Sequence, residues 1–503
     1  MPNFPLQPNF EEFKARVSRG NLIPVYAELT ADYETPLSAF HKVSDGRNCF
    51  LLESAESSES VGRYSFVGSG PRAVIEARST RVKITEEGKT REFESSSGDP
   101  LQDLEDFMAK YQPVSDPGLP LFYGGAVGYL SYDAVRYFEP GIAAPPPDQL
   151  DLPDMVFMVT DTVIIFDHRL RKLLIVANVI TDGDEDAQEL YEAARKIIKQ
   201  TAKRLTSTAV FQPLVGGIQT PTAELVSNTT KQEYCAMVDK AKEYINAGDV
   251  FQIVPSQRFE VAYDGQPIDL YRALRAVNPS PYMFCLQFEE GFSLVGCSPE
   301  VHVRAIDGRI DIRPIAGTRW RGKTPEEDDA LARDLLNDPK ERAEHIMLVD
   351  LARNDVGRVS EYESVKVEDF MIVERYSHVM HIVSNVTGKL APNKNAYDVM
   401  RATFPAGTVS GAPKIRAMEI INEMEKSKRC AYAGAVGYFG FDGNHDSCIA
   451  LRTAVVKDGK AYVQAGAGVV ADSDPDYEFN ETVNKAMGLV KGIEQAGCLG
   501  IEE

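Results

Sequence analysis

The sequence is poor in basic residues and has no long apolar run. Its 503 residues contain 54 Lys plus Arg against 75 Asp plus Glu, which gives a formal net charge of −21. A charge of this sign repels phosphate backbones and anionic lipid headgroups, so it argues against nucleic-acid and membrane partners. No stretch approaches the about 20 apolar residues that a membrane-spanning helix needs, and no basic segment leads into an apolar one near the start. We therefore expect a cytoplasmic protein.

Cysteine is sparse, and its pattern argues against the common uses of the residue. The seven cysteines are scattered, odd in number and never spaced as Cys-x-x-Cys, which is atypical of a disulfide framework or a zinc site. Cys297 stands in the segment Val-Gly-Cys-Ser-Pro-Glu, but no histidine follows it in a motif. Because a buried thiol is the commoner outcome, we interpret Cys297 as a packed side chain and not as a nucleophile.

The chain is long enough for two domains or for one large composite domain. Residues 206–222 carry Thr, Gly and Pro without periodicity, and we predict a boundary there. It would separate an N-terminal domain of residues 1–222 from a domain of residues 223–503. Short strand patterns dominate the first domain. In the second domain, strand patterns alternate with helical patterns at 231–246, 326–355, 412–424 and 475–496.

Two segments of the chain are similar to each other. Residues 123–133 read Tyr-Gly-Gly-Ala-Val-Gly-Tyr-Leu-Ser-Tyr-Asp, and residues 432–442 read Tyr-Ala-Gly-Ala-Val-Gly-Tyr-Phe-Gly-Phe-Asp. Glycine at alternate positions leaves one face of a strand bare, so that another element or a ligand can approach its backbone. We interpret the first copy as close packing, because only the second copy is followed by further motifs of chemical interest.

Two predicted helices each carry a pair of carboxylates on one face. Glu341 and Glu344 are three residues apart, as are Glu478 and Glu481, and this spacing places each pair on one side of a helix. Either pair alone is typical of a solvated helix face. Two facing pairs could instead supply oxygen ligands to Mg²⁺, which prefers one or two carboxylates, waters and an anionic substrate. The spacing leaves both interpretations open.

The segments between these helices resemble the chorismate-utilising enzymes over most of the C-terminal half. The matching motifs are Arg313-Pro-Ile-Ala-Gly-Thr-Arg319, Lys340 to Asp355, Tyr376-Ser-His-Val-Met-His381, Phe404-Pro-Ala-Gly-Thr-Val-Ser-Gly-Ala-Pro-Lys414, Ala450-Leu-Arg-Thr453 and Gln464-Ala-Gly-Ala-Gly468. Two more segments, Leu51-Leu-Glu-Ser54 and Asn278-Pro-Ser-Pro-Tyr-Met283, resemble the tryptophan-binding elements of the anthranilate synthase component I branch. The resemblance covers nearly the whole chain.

This resemblance implies a fold and a set of ligand-binding residues. The fold is α+β, with two large, mainly antiparallel β-sheets facing each other and helices outside. The cofactor is Mg²⁺, with Glu344 and Glu481 as direct ligands and Glu341 and Glu478 in support; the ion would bridge these carboxylates to a substrate carboxylate. Arg452 would clamp the second substrate carboxylate, unless it forms a structural salt bridge. The remaining substrate shell is Gly317, Thr318, Tyr432, Gly466, Ala467, Gly468 and Lys485, in which the backbone N–H groups of residues 466–468 would cradle an anion.

The same resemblance assigns catalytic roles. Amination at ring C2 displaces the C4 hydroxyl, which must be protonated as it departs, and Glu300 matches the family's general acid. His381 would assist the later loss of pyruvate, although a packed histidine beside His378 is the alternative. Thr408 completes the catalytic set.

Two positions indicate which reaction of the family applies. Relatives that add water have lysine where Gln252 stands, and an amide cannot accept a proton from that water. Aminodeoxychorismate synthases have lysine where Ala316 stands. Direct attack by ammonia remains. Because the sequence contains no Gly-x-Cys-x-Gly nucleophile turn with a downstream His-x-Glu, we expect a separate glutamine amidotransferase subunit.

The expected function is therefore that of an anthranilate synthase large subunit, which acts on chorismate in the first step of tryptophan biosynthesis. Feedback inhibition by L-tryptophan would use Ser54, Pro281, Tyr282 and Met283. One alternative is an aminodeoxyisochorismate synthase, which stops before pyruvate loss. Another is a non-enzymatic tryptophan-binding regulator, which would not need the Glu, Arg and Gly motifs. Trp320 and Gln257 depart from the usual pattern, which commonly has Pro and Arg at these positions.

Overall fold

The structure, a computed structural model, describes residues 5–54, 62–211, 214, 224–376 and 379–497. The helices in this part of the chain are α1 (Phe10–Arg16), α2 (Pro36–Val43), α3 (Pro100–Ala109), α4 (Val135–Phe138), α5 (Ala187–Leu205), α6 (Lys231–Ala247), α7 (Pro267–Val277), α8 (Pro325–Asn337), α9 (Pro339–Gly357), α10 (Ala396–Thr403), α11 (Lys414–Met424) and α12 (Pro475–Gly497). Short 3₁₀ turns cover Tyr132–Ala134 and Gly407–Val409.

The strands are β1 (Leu6–Gln7), β2 (Leu22–Thr30), β3 (Cys49–Glu53), β4 (Tyr64–Ser69), β5 (Ala73–Arg78), β6 (Arg81–Glu86), β7 (Lys89–Glu94), β8 (Gly125–Leu130), β9 (Met155–Thr160), β10 (Thr162–Asp167), β11 (Lys172–Ile180), β12 (Val226–Ser227), β13 (Gln252–Ile253), β14 (Ser256–Ala262), β15 (Tyr282–Gln287), β16 (Phe292–Ser298), β17 (Val301–Ile306), β18 (Arg309–Ile312), β19 (Ile315–Trp320), β20 (Lys366–Arg375), β21 (Val379–Lys389), β22 (Gly411–Ala412), β23 (Ala435–Gly440), β24 (His445–Ile449), β25 (Thr453–Lys457) and β26 (Lys460–Gly466).

Two large sheets carry the fold. The first has the strand order β1-β2-β11-β10-β4-β3-β15-β16-β25-β26-β14-β12. The second has the order β19-β21-β18-β17-β24-β23-β8-β9-β5-β6-β7, with β20 also paired to β21, and β13 and β22 form a small separate ladder. Every ladder between these strands is antiparallel. The predicted α+β class is confirmed.

The two sheets face each other through a shared apolar core. The ring of Phe66 on β4 meets the ring of Tyr438 on β23 at 6.3 Å, and the ring of Tyr129 on β8 meets that of Phe292 on β16 at 6.1 Å. A second core on the other side of the first sheet includes Phe13 of α1 and residues of α2, α5, α7 and α12. The helices therefore cover a sheet face, as the resemblance implies.

Both sheets combine strands from both halves of the chain. β3 pairs with β15, and β8 pairs with β23. The second pair consists of the two similar glycine-rich segments, and a Cβ at Gly128 would lie 1.9 Å from the Val156 carbonyl oxygen, so close packing explains the glycine there. The boundary at residue 222 lies outside the described residues, and the division into 1–222 and 223–503 stays a prediction.

One predicted helix is wrong in its extent. The pattern at 326–355 is interrupted at Asp338, whose carboxylate accepts hydrogen bonds from the N–H groups of Lys340 and Glu341 and so begins α9. Cys297 is buried, and burial raises its pKa to about 11, which fits a packed thiol. Among the helices of the described chain, not one combines the length and apolar character that crossing a membrane requires.

Candidate functional site

Glu300 lies in the turn between β16 and β17 and is surrounded by three of the predicted site residues. Burial raises the pKa of its carboxyl to about 7, while Thr408, Lys485 and Arg452 all act to lower it. The Thr408 Oγ1 is buried without a well-formed hydrogen bond in the described structure, although it is close enough to the Glu300 carboxyl to lower its pKa. A carboxyl group that keeps its proton near neutral pH can act as a general acid.

His381 on β21 is held by the segment that contains Gly317 and Thr318. Its Nδ1 lies 2.8 Å from the Gly317 carbonyl oxygen and 3.2 Å from Thr318 Oγ1. Because a carbonyl only accepts, we assign the proton to Nδ1, which leaves Nε2 as an acceptor. Burial lowers the pKa of His381, so the neutral ring is favoured. Its predicted neighbour His378 lies outside the described residues.

Gly317 lies between His381 and Glu341, the first residue of the carboxylate pair on α9. Its φ of +68° lies in the left-handed region, and a Cβ there would be 2.9 Å from Leu335 Cδ1 and 3.0 Å from Glu341 Oε2. Both the conformation and the close approach require glycine. The Glu341 carboxylate is also paired with Arg319, with Nη1 3.1 Å from Oε1.

The other predicted metal ligands lie on α9 and α12. Glu344 Oε1 accepts a hydrogen bond of 3.1 Å from Gln252 Nε2, and Glu481 Oε1 lies 2.6 Å from Lys485 Nζ. Burial raises the pKa of Glu344, and the charges of Glu341 and Glu481 add to this effect. Burial and the charge of Glu481 likewise raise the pKa of Glu478.

The charges of these carboxylates therefore oppose one another, within α9 and between α9 and α12. Within the described residues, no three His, Cys, Asp or Glu side chains already form a cluster of metal-binding geometry. The carboxylates are instead satisfied by the protein donors Arg319, Gln252 and Lys485.

Arg452 offers an unneutralised positive charge. The residue is exposed and has a φ of +46°. Its Nη1 donates a hydrogen bond of 3.3 Å to Asn278 Oδ1, and no carboxylate of the described chain pairs with it. The alternative of a structural salt bridge therefore fails within the described residues, and the guanidinium can bind an anion.

The segment 466–468 fits the predicted anion cradle only in part. The Ala467 N–H donates to the Pro255 carbonyl at 3.2 Å, so it is not free for a ligand. Lys485 Nζ donates to the Gly466 carbonyl at 3.0 Å, and a Cβ at Gly466 would lie 2.7 Å from the Tyr432 hydroxyl. Gly468 contacts Gln252 in the same way, at 2.7 Å from Nε2. Close packing accounts for Gly466, where a Cβ would also lie 2.9 Å from the Pro255 carbonyl oxygen, whereas at Gly468 only the movable end of the Gln252 side chain is near.

Three residues at the site were not predicted as contacts. Gln252 was singled out only as a marker of the reaction, and Arg319 only as part of a motif. Arg429 is buried, and its guanidinium donates to the carbonyls of Val409 and Val254, at 2.7 and 2.6 Å. Nothing in the local sequence distinguishes Arg429 from a surface arginine. Of the two departures from the family pattern, Trp320 is exposed and Gln257 is buried, with Nε2 2.7 Å from Thr482 Oγ1.

A separate cavity lies between the two sheets. It has a volume of about 530 Å³, and its lining includes all four predicted effector residues, Ser54, Pro281, Tyr282 and Met283. The pairing of β3 with β15 sets Glu53 opposite Met283. The Ser54 Oγ is buried without a hydrogen-bond partner in the described structure.

Charged groups of both signs meet in this cavity. The Tyr282 hydroxyl donates a 2.8 Å hydrogen bond to Asp446 Oδ1 and accepts one of 3.1 Å from Arg304 Nε. Phe66 and Tyr438 add apolar surface to the lining. A cavity of this size with a few fixed polar groups is typical of a small-molecule site.

Comparison with known proteins gives consistent matches. A model of the chorismate binding enzyme family matches residues 47–491. The anthranilate synthase component 1 of Aquifex aeolicus is 49% identical over 489 residues, which cover 97% of this chain and 98% of the relative. That of Pseudomonas aeruginosa is 47% identical over 498 residues, with 97% and 99% covered.

Solved structures agree with these matches. The crystal structure of anthranilate synthase component I from Streptococcus pneumoniae is similar with a TM-score of 0.76 and 39% identity, over 86% of this chain and 93% of that chain. The menaquinone-specific isochorismate synthase from Escherichia coli is similar with a TM-score of 0.70 over 96% and 98%, but at 18% identity this likeness shows a shared fold alone.

Proposed function

Since this chain belongs to the chorismate-binding enzyme family, and is similar over nearly its whole length to anthranilate synthase component 1, we propose that it converts chorismate and ammonia into anthranilate, pyruvate and water. The observation that carries the proposal is the Glu300 carboxyl with its raised pKa, next to two cationic side chains that suit a dicarboxylate substrate. Gln252, in place of a lysine that would activate water, favours ammonia as the nucleophile.

The first step joins ammonia to ring C2 while the C4 hydroxyl leaves. Glu300 gives its proton to that hydroxyl, which departs as water, and the carboxylate is reprotonated from solvent after the amine has lost its extra proton. Arg452, which lacks a protein carboxylate partner, holds one carboxylate of the substrate. In the second step Nε2 of the neutral His381 ring accepts the proton from C2, and the electron pair of that C–H bond forms the ring double bond as the bond between the ring and the enolpyruvyl oxygen breaks. The enolate that leaves takes up a proton from solvent to become pyruvate.

Mg²⁺ is part of this proposal. Four glutamates on two helices, two of them with pKa values raised by burial and mutual repulsion, have the chemistry of an oxygen-ligand site. Glu344 and Glu481 would hold the ion directly, and Glu341 and Glu478 would support them. When bound, Mg²⁺ would neutralise this repulsion and hold the ring carboxylate of the substrate.

The reaction would be the first step of tryptophan biosynthesis. The inter-sheet cavity supports a second part of the proposal, namely that L-tryptophan inhibits the enzyme by feedback. The apolar walls suit an indole ring. Arg304 and Asp446, which pair with each other at 3.2 Å, could exchange that contact for the carboxylate and the ammonium of an amino acid. Ammonia would come from a glutamine amidotransferase partner, because at neutral pH nearly all free ammonia is protonated and unreactive.

The isolated chain should form anthranilate from chorismate, Mg²⁺ and an ammonium salt at alkaline pH, followed by anthranilate fluorescence. Glutamine should not replace the ammonium salt until a glutaminase subunit is added. Glutamine-dependent turnover by the homogeneous chain would contradict the partner. Accumulation of aminodeoxyisochorismate without pyruvate, detected by chromatography, would assign the alternative reaction instead.

Glu344→Gln and Glu481→Gln should each reduce Mg²⁺-dependent turnover by about 100-fold or more, because each removes a charged ligand while keeping the side chain's shape. Binding of Mn²⁺, measured by electron paramagnetic resonance, should weaken in parallel. Asp350→Asn, at an exposed carboxylate of the same helix α9, is the matched control and should change neither quantity. Wild-type metal affinity in both glutamate variants would place the metal elsewhere.

The raised pKa of Glu300 gives the pH dependence a definite sign. A general acid must be protonated, so kcat/KM for chorismate, at a fixed concentration of unprotonated ammonia, should fall about tenfold per pH unit above about pH 7. Lys485→Met removes a charge that lowers this pKa, so the decline should begin at higher pH. Glu300→Gln should abolish turnover. A profile that stays flat through pH 9 would rule out Glu300 as the acid.

Ser54→Phe should remove tryptophan inhibition and leave the uninhibited rate nearly unchanged, because the ring would occupy the cavity without reaching Glu300. Ser18→Phe, at an exposed serine, is the matched control and should stay sensitive. Since coupling is reciprocal, chorismate should weaken tryptophan binding to the wild type by the same factor, measured by calorimetry. Full tryptophan sensitivity of Ser54→Phe, or loss of activity together with sensitivity, would refute an effector site there.

A further inference from the structure

A β-bulge follows directly after Glu300. Along the ladder of β17 with β24, Val301 pairs with Cys448 and Val303 with Ser447, so His302 is the extra residue. Bulges of this kind redirect a side chain and fix the local direction of a strand, and they are frequent beside active sites. His302 is 3% exposed, and the steps proposed above give it no role.

Both ring nitrogens of His302 have side-chain partners. Nδ1 lies 3.1 Å from Ser447 Oγ, and Nε2 lies 3.3 Å from Thr403 Oγ1. Burial is the main cause that lowers the pKa of His302 to about 3, and the charges of His445 and Lys414 act in the same direction. The ring is therefore neutral, with one donor and one acceptor nitrogen.

A neighbouring histidine fixes the direction of these hydrogen bonds. His445 Nδ1 lies 2.8 Å from the Tyr438 carbonyl oxygen, which can only accept, so His445 carries its proton there. Its Nε2, at 2.9 Å from Ser447 Oγ, must then accept the serine proton. The serine oxygen then accepts from His302 Nδ1–H, so Nε2 is the acceptor nitrogen that faces Thr403 Oγ1 at 3.3 Å. The single Thr403 hydroxyl proton has its shorter contact with the Val399 carbonyl, at 2.9 Å, so its hydrogen bond to Nε2 is the weaker of the two.

Thr403 is itself fixed in place at the end of α10. Its carbonyl accepts a 3.0 Å hydrogen bond from Lys414 Nζ, and that ammonium pairs with Asp355 at 2.6 Å. The Phe404 ring stands edge-on to the His302 ring, with centroids 5.8 Å apart. The chain then runs through residues 405–407 to Thr408, the residue whose hydroxyl lowers the pKa of Glu300.

A small cavity lies between these two segments. Its volume is about 30 Å³, and its lining includes Glu300, His302, Thr403 and Thr408. Direct packing therefore does not fill the space behind the acid. The contact of His302 Nε2 with Thr403 spans it, from the strand that follows Glu300 to the end of α10, which leads into the segment that carries Thr408. The contact of Nδ1 with Ser447 ties the same ring to β24.

We propose that His302 is a positioning residue, which holds the Glu300 carboxyl and the Thr408 hydroxyl at a fixed separation by joining their two segments. This inference rests on the proposed role of Glu300 as the general acid. It adds to that role a structural reason for the orientation of the acid, namely a bulge whose extra residue has a side-chain partner at each ring nitrogen.

The test compares His302→Leu with the wild type in the ammonia-dependent assay. Loss of both hydrogen bonds should lower kcat by about tenfold to 100-fold, the size of effect expected when a catalytic group is misplaced by a fraction of an ångström or more. KM for chorismate should change little, because Arg452 and the glutamates are untouched. Without the Thr408 hydroxyl beside it, the Glu300 carboxyl should have a higher pKa, so the alkaline decline of kcat/KM should move to higher pH. Lys485 and Arg452 would still lower that pKa.

Further variants separate positioning from general stability. Thr403→Val breaks the same connection from the other side and should shift the pH profile in the same direction, which keeps the test valid if His302→Leu does not fold. His302→Gln, which keeps a donor and an acceptor, should restore part of kcat. His168→Leu, which removes a histidine–serine contact of 2.7 Å with Ser65 far along the chain, should leave kcat and the pH profile unchanged.

Two results would overturn the inference: an unchanged kcat in His302→Leu and Thr403→Val, or a reduced kcat with an unmoved pH profile, which indicates a structural role only. Failure of the proposed function is recognised separately in the same assay. It would appear as absence of anthranilate with the wild-type chain, or as full activity of Glu300→Gln, and the inference would then fall with it.

Discussion

Backbone hydrogen bonding between the two halves of the chain is the interaction on which the rest of the structure depends. The pairing of β3 with β15 continues the first sheet across the halves, and the pairing of β8 with β23 does the same in the second. The inter-sheet cavity has walls from both halves only because of these ladders. β16 ends two residues before Glu300, β25 begins directly after Arg452, and these two strands pair, which fixes the position of Glu300 relative to Arg452.

Burial then divides the carboxyl groups into two kinds. Glu300 is half-buried beside cations and a hydroxyl, and loss of water raises the pKa of its carboxyl to about 7. Of the glutamates of α9 and α12, Glu478 is buried and the other three are half-buried, so their neighbouring charges are costly until a cation or a protein donor compensates them. The same physical cause, loss of water, thus raises the pKa of Glu300, the proposed acid, and of Glu344 and Glu478, two of the proposed metal ligands. Environments that push pKa values apart in this way are typical of active sites.

Much of this arrangement could be predicted from the sequence, because the informative motifs are short and local. The glutamate spacing predicted two carboxylate faces, the alternating glycines predicted close packing at Gly128, and the resemblance supplied the fold and the positions around Glu300. The interruption of the predicted helix at Asp338 was missed because the apolar pattern continues across it. The hydrogen bond from the Ala467 N–H to the Pro255 carbonyl could not be predicted from residues 466–468, because its acceptor lies in a segment far away along the chain. The bulge at His302 leaves no periodic signal, as one extra residue changes a register that only the partner strand defines.

The scarcity and exposure of tryptophan in this chain have a consequence for its synthesis on the ribosome. It is the single tryptophan among 503 residues, and it is 75% exposed, so the packed interior of the described structure contains no indole ring. The large aromatic positions of the core are filled by Phe and Tyr instead, among them Tyr129, Tyr234 and Phe284. Under the proposed function, each copy that a ribosome makes consumes one molecule of the amino acid that the enzyme helps to produce. Translation of this chain therefore uses one tryptophan per copy, which is a small demand in a cell that lacks tryptophan and needs the enzyme.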